Sequence, residues 1–468
     1  MLLERIYDED LAQASYVIGC QAKGEAIVVD PRRDLTPYLD IAARKGMRIV
    51  AVTETHIHAD YLSGSRELAA ATGATVYVSA EGGEDWQYEF EAERLRHGDA
   101  LTIGNLTIEA RHTPGHTPEH LSFLVTDGAF SDRPGYLLSG DFVFVGDLGR
   151  PDLLDEAAGG VDTRFAGAHQ LFESLRDEFV TLPDYVQVLP AHGAGSACGK
   201  ALGAIASTTV GYERENAWWA GYLRDQDEEG FVRALLDGQP DAHAYFARMK
   251  RQNRVGPAVM GEPSDLVELD SETLAERLAA DEVIFVDTRH NSEVHAGTVA
   301  RSLNVPGVEK AASYGAWVYD PEREHRPLVV LAPNEATARE FRDHVVRVGI
   351  DTVIGFTTTI DGLPLEVPAV IGPEQLESTE RAVLLDVRNR TEHESGHIPG
   401  AVQLSGGRVM WRLDELPASG TIVTYCQSGV RNSVASSALR RAGYDVVELD
   451  GSYAAWLEYE SSKELNVA

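Results

Sequence analysis

The stretch THIHADYLSG, residues 55–64, brings His56, His58 and Asp60 close together along the chain. Imidazole nitrogens and carboxylate oxygens are common ligands of zinc, iron and other divalent metals. The spacing follows H-x-H-x-D-H, except that Tyr61 stands at the last histidine of that pattern. A phenol, with an ordinary pKa of about 10, is a poor metal ligand at neutral pH. The stretch therefore fits either a two-metal site that lacks one ligand or a site for one metal.

Further metal-ligand residues follow other predicted strands. His112 and His116 follow LTIEAR, Asp141 ends YLLSGD, and His192 ends VQVLPAH. A lone histidine is more often structural, but loops that follow several strands can direct their side chains into one pocket. The four groups together favour a metal centre.

A second reactive stretch is YCQSGVRNSVASSALRRAGY, in which a predicted strand ends at Cys426. A short loop follows, and NSVASSALRRAG is predicted to begin a helix. Backbone N–H groups of such a loop, together with a cation, lower a thiol pKa and stabilise a persulfide anion. The sequence predicts a reactive Cys426 assisted by Arg431, in a loop formed by Gln427, Ser428, Gly429 and Val430.

The elements that position these residues alternate in type. We predict strands in EAIVVDP, MRIVAVTE, TVYVSA, YLLSGD and VQVLPAH, with a hairpin turn at Gly104-Asn105 inside LTIGNLTIEA. Helical periodicity marks SRELAAATG and AHQLFESLRDEF, and residues 200–250 are predicted to be mainly helical. Gly and Pro without periodicity in RQNRVGPAVMGEPSDL, residues 251–266, predict a linker.

The chain beyond this linker repeats itself. Residues 283–306 parallel residues 382–405, with Asp287 matching Asp386 and Arg289 matching Arg388. Two copies of one α/β unit explain the repeat, and the position of Cys426 is occupied by Ala332 in the first copy. We predict three domains, residues 1–257, 264–362 and 368–464, and a first copy that serves as a spacer or docking surface because it cannot hold a persulfide.

Composition narrows the range of partners and compartments. A length of 468 residues predicts several domains. The formal net charge of −33 disfavours nucleic-acid and membrane-surface partners. Cys20, Cys198 and Cys426 are far apart and odd in number, which argues against a disulfide framework, and Cys20 is expected in the core. With no secretory signal or long apolar run in the sequence, we expect a cytoplasmic protein.

The motifs THIHADYLSG, TPGHT, SGD and PAH, in this order, resemble the metallo-β-lactamase superfamily. The resemblance implies an αββα sandwich of two sheets flanked by helices. In two-zinc members the second metal needs the D-H pair that Tyr61 interrupts, so one metal is favoured. Resemblance to the mononuclear branch implies one Fe(II) per chain on His56, His116 and Asp141, a facial triad with open positions. His58, Asp60 and His192 would then support ligands or water, and for Asp60 a purely structural role stays open.

The stretches GDLGRPDLL, PAHGAGSACGK, STTVGYERENAWW and AYFARMKRQNRVGP resemble persulfide dioxygenases fused to rhodanese domains. LLDVRNRTEHESGHIPGA, the Cys426 loop and LDGSYAAW resemble a rhodanese, and the loop is shorter by one residue than those of related phosphatases, which favours sulfur transfer. The fold class expected is therefore α/β, an αββα sandwich followed by two rhodanese-like domains.

The resemblance implies a bifunctional enzyme of sulfide detoxification. It would use O2 to oxidise a low-molecular-weight thiol persulfide to sulfite and thiol, and transfer sulfur among thiosulfate, sulfite and thiols through Cys426. Cys198 would touch the sulfur substrate or be a small buried residue. The thiol carrier and the direction of sulfur flux stay open, and relatives commonly self-associate.

Two other functions compete with this one. The first is a zinc-dependent thioester hydrolase of the glyoxalase II type with sulfur-sensing rhodanese domains, which Tyr61 and the fusion disfavour. The second is a sulfur carrier without enzyme activity that only docks partners.

Overall fold

The computed structural model describes residues 1–156 and 163–467. The chain divides into two compact units, one of residues 1–242 and 246–262 and the other of residues 243–245 and 263–468. Within the described residues, no helix combines the length and the apolar character that crossing a bilayer requires.

The first unit contains two six-stranded sheets whose strands follow chain order. In the first sheet, β1–β3 pair antiparallel and β3–β6 pair parallel. In the second sheet, only the β10–β11 pair is parallel. The strands are β1 Leu2–Asp8, β2 Gln13–Cys20, β3 Glu25–Val29, β4 Arg48–Thr53, β5 Thr75–Ser79, β6 Glu93–Leu95, β7 Ala100–Ile103, β8 Leu106–His112, β9 Leu121–Asp127, β10 Tyr136–Gly140, β11 Gln187–Pro190 and β12 Thr208–Thr209.

Helices cover the outer faces of both sheets. The helices are α1 Thr36–Lys45, α2 Ser65–Thr72, α3 Leu153–Glu156, α4 Thr163–Ser174, α5 Val210–Asn216, α6 Ala220–Asp225, α7 Glu228–Leu236 and α8 Phe246–Val255. A π-helical turn, Leu175–Phe179, extends α4. The αββα sandwich expected from the sequence is therefore confirmed.

Three apolar clusters hold these layers together. One lies between the sheets and joins residues such as Ile18, Ile27, Ile108 and Phe123. The others pack the outer face of the first sheet against α1 and α2, and that of the second sheet against α4 and α7. Each fully buried aliphatic or aromatic side chain contributes roughly 1.5–3 kcal/mol to stability. The sandwich thus gives rigid strand ends from which loops can present polar side chains.

The linker begins later than the sequence predicted. Residues 251–255 continue helix α8, because Met249 and Asn253 are buried on one face of it. Asn253 also donates to the carbonyl oxygens of His58 and Tyr61, at 2.8 and 2.7 Å. A polar stretch that lacked clear periodicity is therefore held in a helix by tertiary contacts.

The second unit contains two five-stranded parallel sheets with equivalent strand orders, which agrees with the internal repeat. The first is ordered β13-β18-β17-β14-β16 and the second β20-β24-β23-β21-β22, and a short β15–β19 pair stands apart. The strands are β13 Val267–Glu268, β14 Ile284–Asp287, β15 Thr298–Val299, β16 Leu303–Asn304, β17 Leu328–Leu331, β18 Val353–Thr357, β19 Leu365–Glu366, β20 Ala369–Ile371, β21 Val383–Asp386, β22 Val402–Gln403, β23 Ile422–Tyr425 and β24 Val446–Leu449.

The helices of this unit are α9 Ser271–Ala279, α10 Asn291–Ala296, α11 Ala311–Val318, α12 Glu335–Val345, α13 Arg390–Ser395, α14 Val430–Arg441 and α15 Ser452–Val467. Helix α14 begins at Val430, two residues earlier than the sequence predicted. Gly429, with φ 113°, forms the N-cap of α14 in a backbone conformation that favours glycine.

Candidate functional site

Loops that follow β4, β8 and β10 bring His56, His116 and Asp141 together at one edge of the sandwich. One ligand atom of each residue lies within 4.8 Å of those of the other two. All three residues are buried, and Nε2 of His116 lies 3.5 Å from Oδ2 of Asp141. The arrangement places two imidazoles and one carboxylate around a common point.

A hydrogen bond at Nδ1 holds each of the two imidazole rings, those of His56 and His116, in position. Nδ1 of His116 lies 2.9 Å from the carbonyl oxygen of Arg150 and donates to it. Nδ1 of His56 lies 3.0 Å from Oγ1 of Thr55, whose own hydroxyl donates to Asp30. Each Nδ1 therefore carries the proton, and the Nε2 lone pair is left for a metal.

Burial keeps these imidazoles neutral. It lowers the pKa of His56 well below the ordinary value, and neighbouring histidines lower it further. Burial also lowers the pKa of His116, although the carboxylate of Asp141 opposes this effect. Neutral imidazole is the form that binds metals.

Asp141 is positioned through its backbone. Its N–H donates to Nε2 of His120 at 3.0 Å, and Nδ1 of His120 lies 2.9 Å from Oγ1 of Thr113. The preceding residue, Gly140, has φ 53°, and a Cβ there would lie 2.6 Å from Nε2 of His120. Glycine is therefore required where the strand turns Asp141 toward the histidines.

The polar atoms at this centre fit a cation. Both carboxylate oxygens of Asp141, Oδ2 of Asp60 and Nε2 of His192 are buried and make no hydrogen bond. An unpaired buried carboxylate is costly unless it is paired or coordinates a metal. The donor set, two neutral nitrogens and one carboxylate, suits a divalent transition metal.

Asp60, His192 and Cys198 form a second group beside the first, with ligand atoms within 4.8 Å of one another. Nδ1 of His192 donates to the carbonyl oxygen of Ala12 at 3.0 Å, and Nε2 lies 3.4 Å from Asp60 and 3.5 Å from Asp141. Burial, with Asp141 and Asp60 nearby, raises the pKa of Cys198 well above its ordinary value. Cys198 is therefore a neutral thiol at this centre.

His58 and Tyr61 each form a hydrogen bond with Asp30. Nε2 of His58 lies 3.1 Å from Oδ1 of Asp30. Burial depresses the pKa of His58, but the carboxylate of Asp30 outweighs this and raises it to about 9. The Tyr61 hydroxyl donates to the carbonyl oxygen of Asp30 at 3.1 Å and accepts from Gln13. His112, the last residue of β8, instead bonds the carbonyl oxygen of Pro118 at 2.8 Å and lies outside the ligand group.

Two supporting residues were missed in the sequence. His120 lies four residues after His116, but its hydrogen bond to the Asp141 backbone depends on tertiary structure. Asp30 follows strand β3, just as the ligands follow their strands, and that position was a usable signal.

In the second unit, Cys426 follows β23 and is buried. Its Sγ accepts the N–H of Gly429 at 3.1 Å, and its own N–H donates to Oγ of Ser452 at 3.2 Å. Ser452, which sequence reasoning also missed, has its Oγ 3.9 Å from the sulfur. A backbone N–H at a helix N-terminus stabilises negative charge on sulfur.

Arg431 is engaged by a carboxylate. Its Nη1 and Nη2 lie 2.7 and 2.8 Å from the two oxygens of Glu392. Burial raises the pKa of Glu392, but Arg431 outweighs it and the net direction is down. The positive charge of Arg431, expected beside Cys426, is therefore partly compensated by the carboxylate of Glu392 in α13.

A groove of about 380 Å³ lies beside this loop. Gln427 lines it, and Oε1 of Gln427 accepts from Nη1 of Arg388 at 3.3 Å. Arg388 is itself held by Asp386, with Nη2 to Oδ2 at 2.7 Å, and by the carbonyl oxygen of Gly396. Ser428 is exposed and Val430 is half-buried at the start of α14.

The first copy contacts the reactive loop of the second. In the first copy, Ala332 follows β17 at the position equivalent to Cys426. A Cβ at Gly429 would lie 2.9 Å from Nδ2 of Asn291. Asn304, at the end of β16, accepts from Oγ of Ser433 at 2.8 Å, and its N–H donates to Oγ of Ser437 at 2.9 Å.

Comparison with known proteins gives two domain matches. Residues 8–192 match the metallo-beta-lactamase superfamily, and residues 374–459 match the rhodanese-like domain. A solved structure of a metallo-beta-lactamase from Staphylococcus aureus subsp. aureus COL is 34% identical, with a TM-score of 0.66, and the match covers 76% of this chain and 98% of that one.

Curated relatives cover the first part of the chain. The mitochondrial persulfide dioxygenase ETHE1 of Homo sapiens is 26% identical over 194 residues, which are 41% of this chain and 68% of that protein. A hydroxyacylglutathione hydrolase of Actinobacillus pleuropneumoniae serotype 3 is 28% identical over 179 residues, 38% of this chain and 65% of that protein.

Proposed function

Because the chain belongs to the metallo-β-lactamase superfamily and carries a C-terminal rhodanese-like domain, we propose that it is a persulfide dioxygenase with sulfurtransferase activity. The reaction takes a thiol persulfide, O2 and water to the thiol, sulfite and two protons. We place it in a reducing, cytoplasmic setting, which suits the free thiols of all three cysteines.

The observation that carries the proposal is the group formed by His56, His116 and Asp141. Its donor atoms converge within 4.8 Å, and neither oxygen of Asp141 has a hydrogen-bond partner. One Fe(II) held by this triad would supply the redox chemistry that joins O2 to the sulfur of the persulfide. The similarity to persulfide dioxygenases favours iron over zinc at this site.

The protein's own side chains prepare the site for one metal. The carbonyl oxygen of Arg150 and the hydroxyl of Thr55 hold the two rings in the ligating tautomer. Tyr61 is hydrogen-bonded to Asp30, and burial raises the pKa of its phenol well above the ordinary value. Tyr61 therefore provides no phenolate for a second metal. Asp60, His192 and Cys198 border the space in which a sulfur substrate would lie.

At the second site, the Cys426 thiolate attacks the outer sulfur of thiosulfate. The S–S bond of thiosulfate breaks, sulfite leaves with the bonding electron pair, and Cys426 becomes a persulfide. A thiolate acceptor then takes the outer sulfur, and Cys426 leaves as thiolate. The N–H of Gly429 stabilises the anionic sulfur at each stage. All these steps are reversible, so the same loop can form thiosulfate from sulfite and a persulfide.

Metal analysis of the purified protein, together with oxygen consumption on glutathione persulfide, tests the proposal. We expect about one iron per chain and stoichiometric oxygen uptake with sulfite release. The variant Cys426→Ser should keep this oxygen uptake and lose thiosulfate sulfurtransfer. If Cys426→Ser abolishes both, the protein is a sulfur carrier and the dioxygenase proposal fails.

A second candidate is a zinc-dependent thioester hydrolase. The similarity to a hydroxyacylglutathione hydrolase favours it, and Asp60 and His192 offer an oxygen and a nitrogen donor of the kind that zinc binds. Zinc in the purified protein, with turnover of a glutathione thioester and no oxygen uptake, would establish this function instead.

A further inference from the structure

The segment that carries His56 is long and irregular. It comprises residues 54–64, between the end of β4 and the start of α2, and we call it the ligand loop. A buried loop of this kind keeps one conformation only if its backbone N–H and C=O groups find partners, since unbonded buried groups are costly. The partners of the ligand loop therefore set the position of His56.

Three buried side chains from other elements bond the backbone of the ligand loop. Asp30 accepts the N–H of Thr55 at 2.7 Å, and Glu119 accepts the N–H of Ile57 at 2.7 Å. The third is Asn253 of helix α8, which makes three such bonds. Asn253 therefore bonds the loop backbone at more points than the two carboxylates together.

The amide of Asn253 suits these three partners. Its Nδ2 donates to the carbonyl oxygens of His58 and Tyr61, at 2.8 and 2.7 Å, and its Oδ1 accepts the N–H of Ser63 at 2.9 Å. Only an amide side chain offers two donors and an acceptor at this size. The bonded residues lie on both sides of Asp60 and begin two residues after the first metal ligand. Asn253, which is 1% exposed, thus fixes the course of the chain through the metal centre.

Helix α8 has its own anchors in the first unit, outside the ligand loop. Nε and Nη2 of Arg254 donate to Oε1 of Glu89 at 3.0 and 2.6 Å, and Nη1 donates to the carbonyl oxygen of Asp85 at 3.0 Å. The N–H of Glu89 in turn donates to the carbonyl oxygen of Arg254 at 2.8 Å, and Met249 is fully buried. Because the helix is held separately, Asn253 presents its amide to the loop from a rigid support.

From these contacts we infer that Asn253 is a positioning residue of the metal centre, and that α8 thereby sets the affinity of the centre for its metal. The inference rests on the proposed function, which places the metal on His56, His116 and Asp141. Without the amide, two carbonyl oxygens and one N–H of the ligand loop lose their partner, and the loop no longer holds His56 toward the other ligands. Metal binding then has to order the loop, which lowers the affinity.

Titration of the metal-free full chain with Co(II) tests the inference, because the visible absorption of Co(II) reports both affinity and ligand geometry without turnover. Asn253→Asp keeps the size of the side chain and the acceptor for Ser63, but at neutral pH it loses both donors. We expect its Co(II) affinity to fall about tenfold or more, with altered absorption bands. The matched control is Arg254→Gln, because Arg254 bonds Glu89 and Asp85 instead of the ligand loop. Its affinity should stay within twofold of the parent, with unchanged bands.

A measurement on the parent alone protects the test from misfolding of the variant. Hydrogen–deuterium exchange with and without Co(II) should become slower in the ligand loop and in α8, but not in α7, which packs against the second sheet. The inference is overturned if Co(II) protects the loop and not α8, or if Asn253→Asp and Arg254→Gln bind Co(II) equally well. If these results are as expected but the purified parent contains zinc and takes up no oxygen, only the proposed function fails.

Discussion

The ring of His116 shows how one backbone atom prepares a metal ligand. The carbonyl oxygen of Arg150 accepts a hydrogen bond from Nδ1–H, which leaves the Nε2 lone pair available, and Nε2 lies 3.5 Å from Asp141. We expect His116→Ala to reduce bound iron more than tenfold and oxygen uptake more than a hundredfold, because a facial triad cannot lose a ligand. Thiosulfate sulfurtransfer should stay within twofold of the parent, measured with thiosulfate and cyanide.

The matched control for that variant is His112→Ala. His112 lies in the same motif but bonds the carbonyl oxygen of Pro118 and stands outside the ligand group. Its iron content should match the parent. Equal losses of iron in the two variants would contradict the assignment of His116.

The buried carboxyl of Glu119, near the candidate metal centre, is expected to make the stability of the fold depend on pH. Burial raises the pKa of Glu119 from 4.5 to about 7, and its Oε1 accepts the N–H of Ile57 at 2.7 Å. The folded state therefore binds this proton more tightly, so the free energy of unfolding falls as pH rises from 4.5 to 7. We expect this fall to be about 1 kcal/mol or more. Glu119→Gln should abolish it, because the amide does not titrate.

Urea unfolding at pH 5 and pH 7.5 measures this difference. The exposed Glu93 in β6 provides the control, and Glu93→Gln should leave the pH dependence of the parent unchanged. If Glu119→Gln keeps the same pH dependence as the parent, another group is responsible.

At the scale of elements, the first copy supports the helix that follows the reactive loop. Asn304 is buried; it accepts from Ser433 and donates through Nδ2 to the carbonyl oxygens of Asp287 and Arg289. We expect Asn304→Ala to lower the free energy of unfolding by about 2–4 kcal/mol, since several buried groups lose partners. Sulfurtransfer should fall, whereas oxygen uptake should not.

A double-mutant cycle with Ser433→Ala isolates the contact between the copies. We expect a coupling energy of about 1 kcal/mol between the two positions, obtained from denaturant unfolding of the four proteins. Additive effects would mean that Asn304 stabilises only its own copy.

The strand ends were predictable from the sequence because apolar runs and the polar residues that end them are local features. His56, Asp141 and His192 lie where the runs predicted loops. The Arg431–Glu392 pair was not predictable, because the partner lies in α13, far along the chain. Helix α8 extended further than expected for a similar reason, since Asn253 is fixed by a loop of the sandwich.

At the scale of the whole molecule, the net charge of −33 opposes anionic substrates. Glutathione persulfide is an anion, so its approach should be slow at low salt. We expect kcat/KM for oxygen uptake to rise as ionic strength increases from about 10 to about 150 mM, because the Debye length shortens to about 8 Å. A persulfide of neutral charge should show no such rise, and a rise for both would contradict this explanation.

The internal repeat was predictable from the sequence, but the way its two copies pack together was not. The repeat predicted two related copies, and the structure has two sheets of equivalent order. The packing of the two copies against each other was not predictable, because contacts such as that of Arg441 with the carbonyl oxygen of Arg301 join residues far apart in the sequence.

Anomalous diffraction from crystals of the protein at the iron and zinc edges would identify the metal and count its sites. We expect one iron peak per chain, within bonding distance of His56, His116 and Asp141. Two metal peaks, with the second held by Asp60, His192 and Cys198, or a zinc peak at the triad, would contradict it.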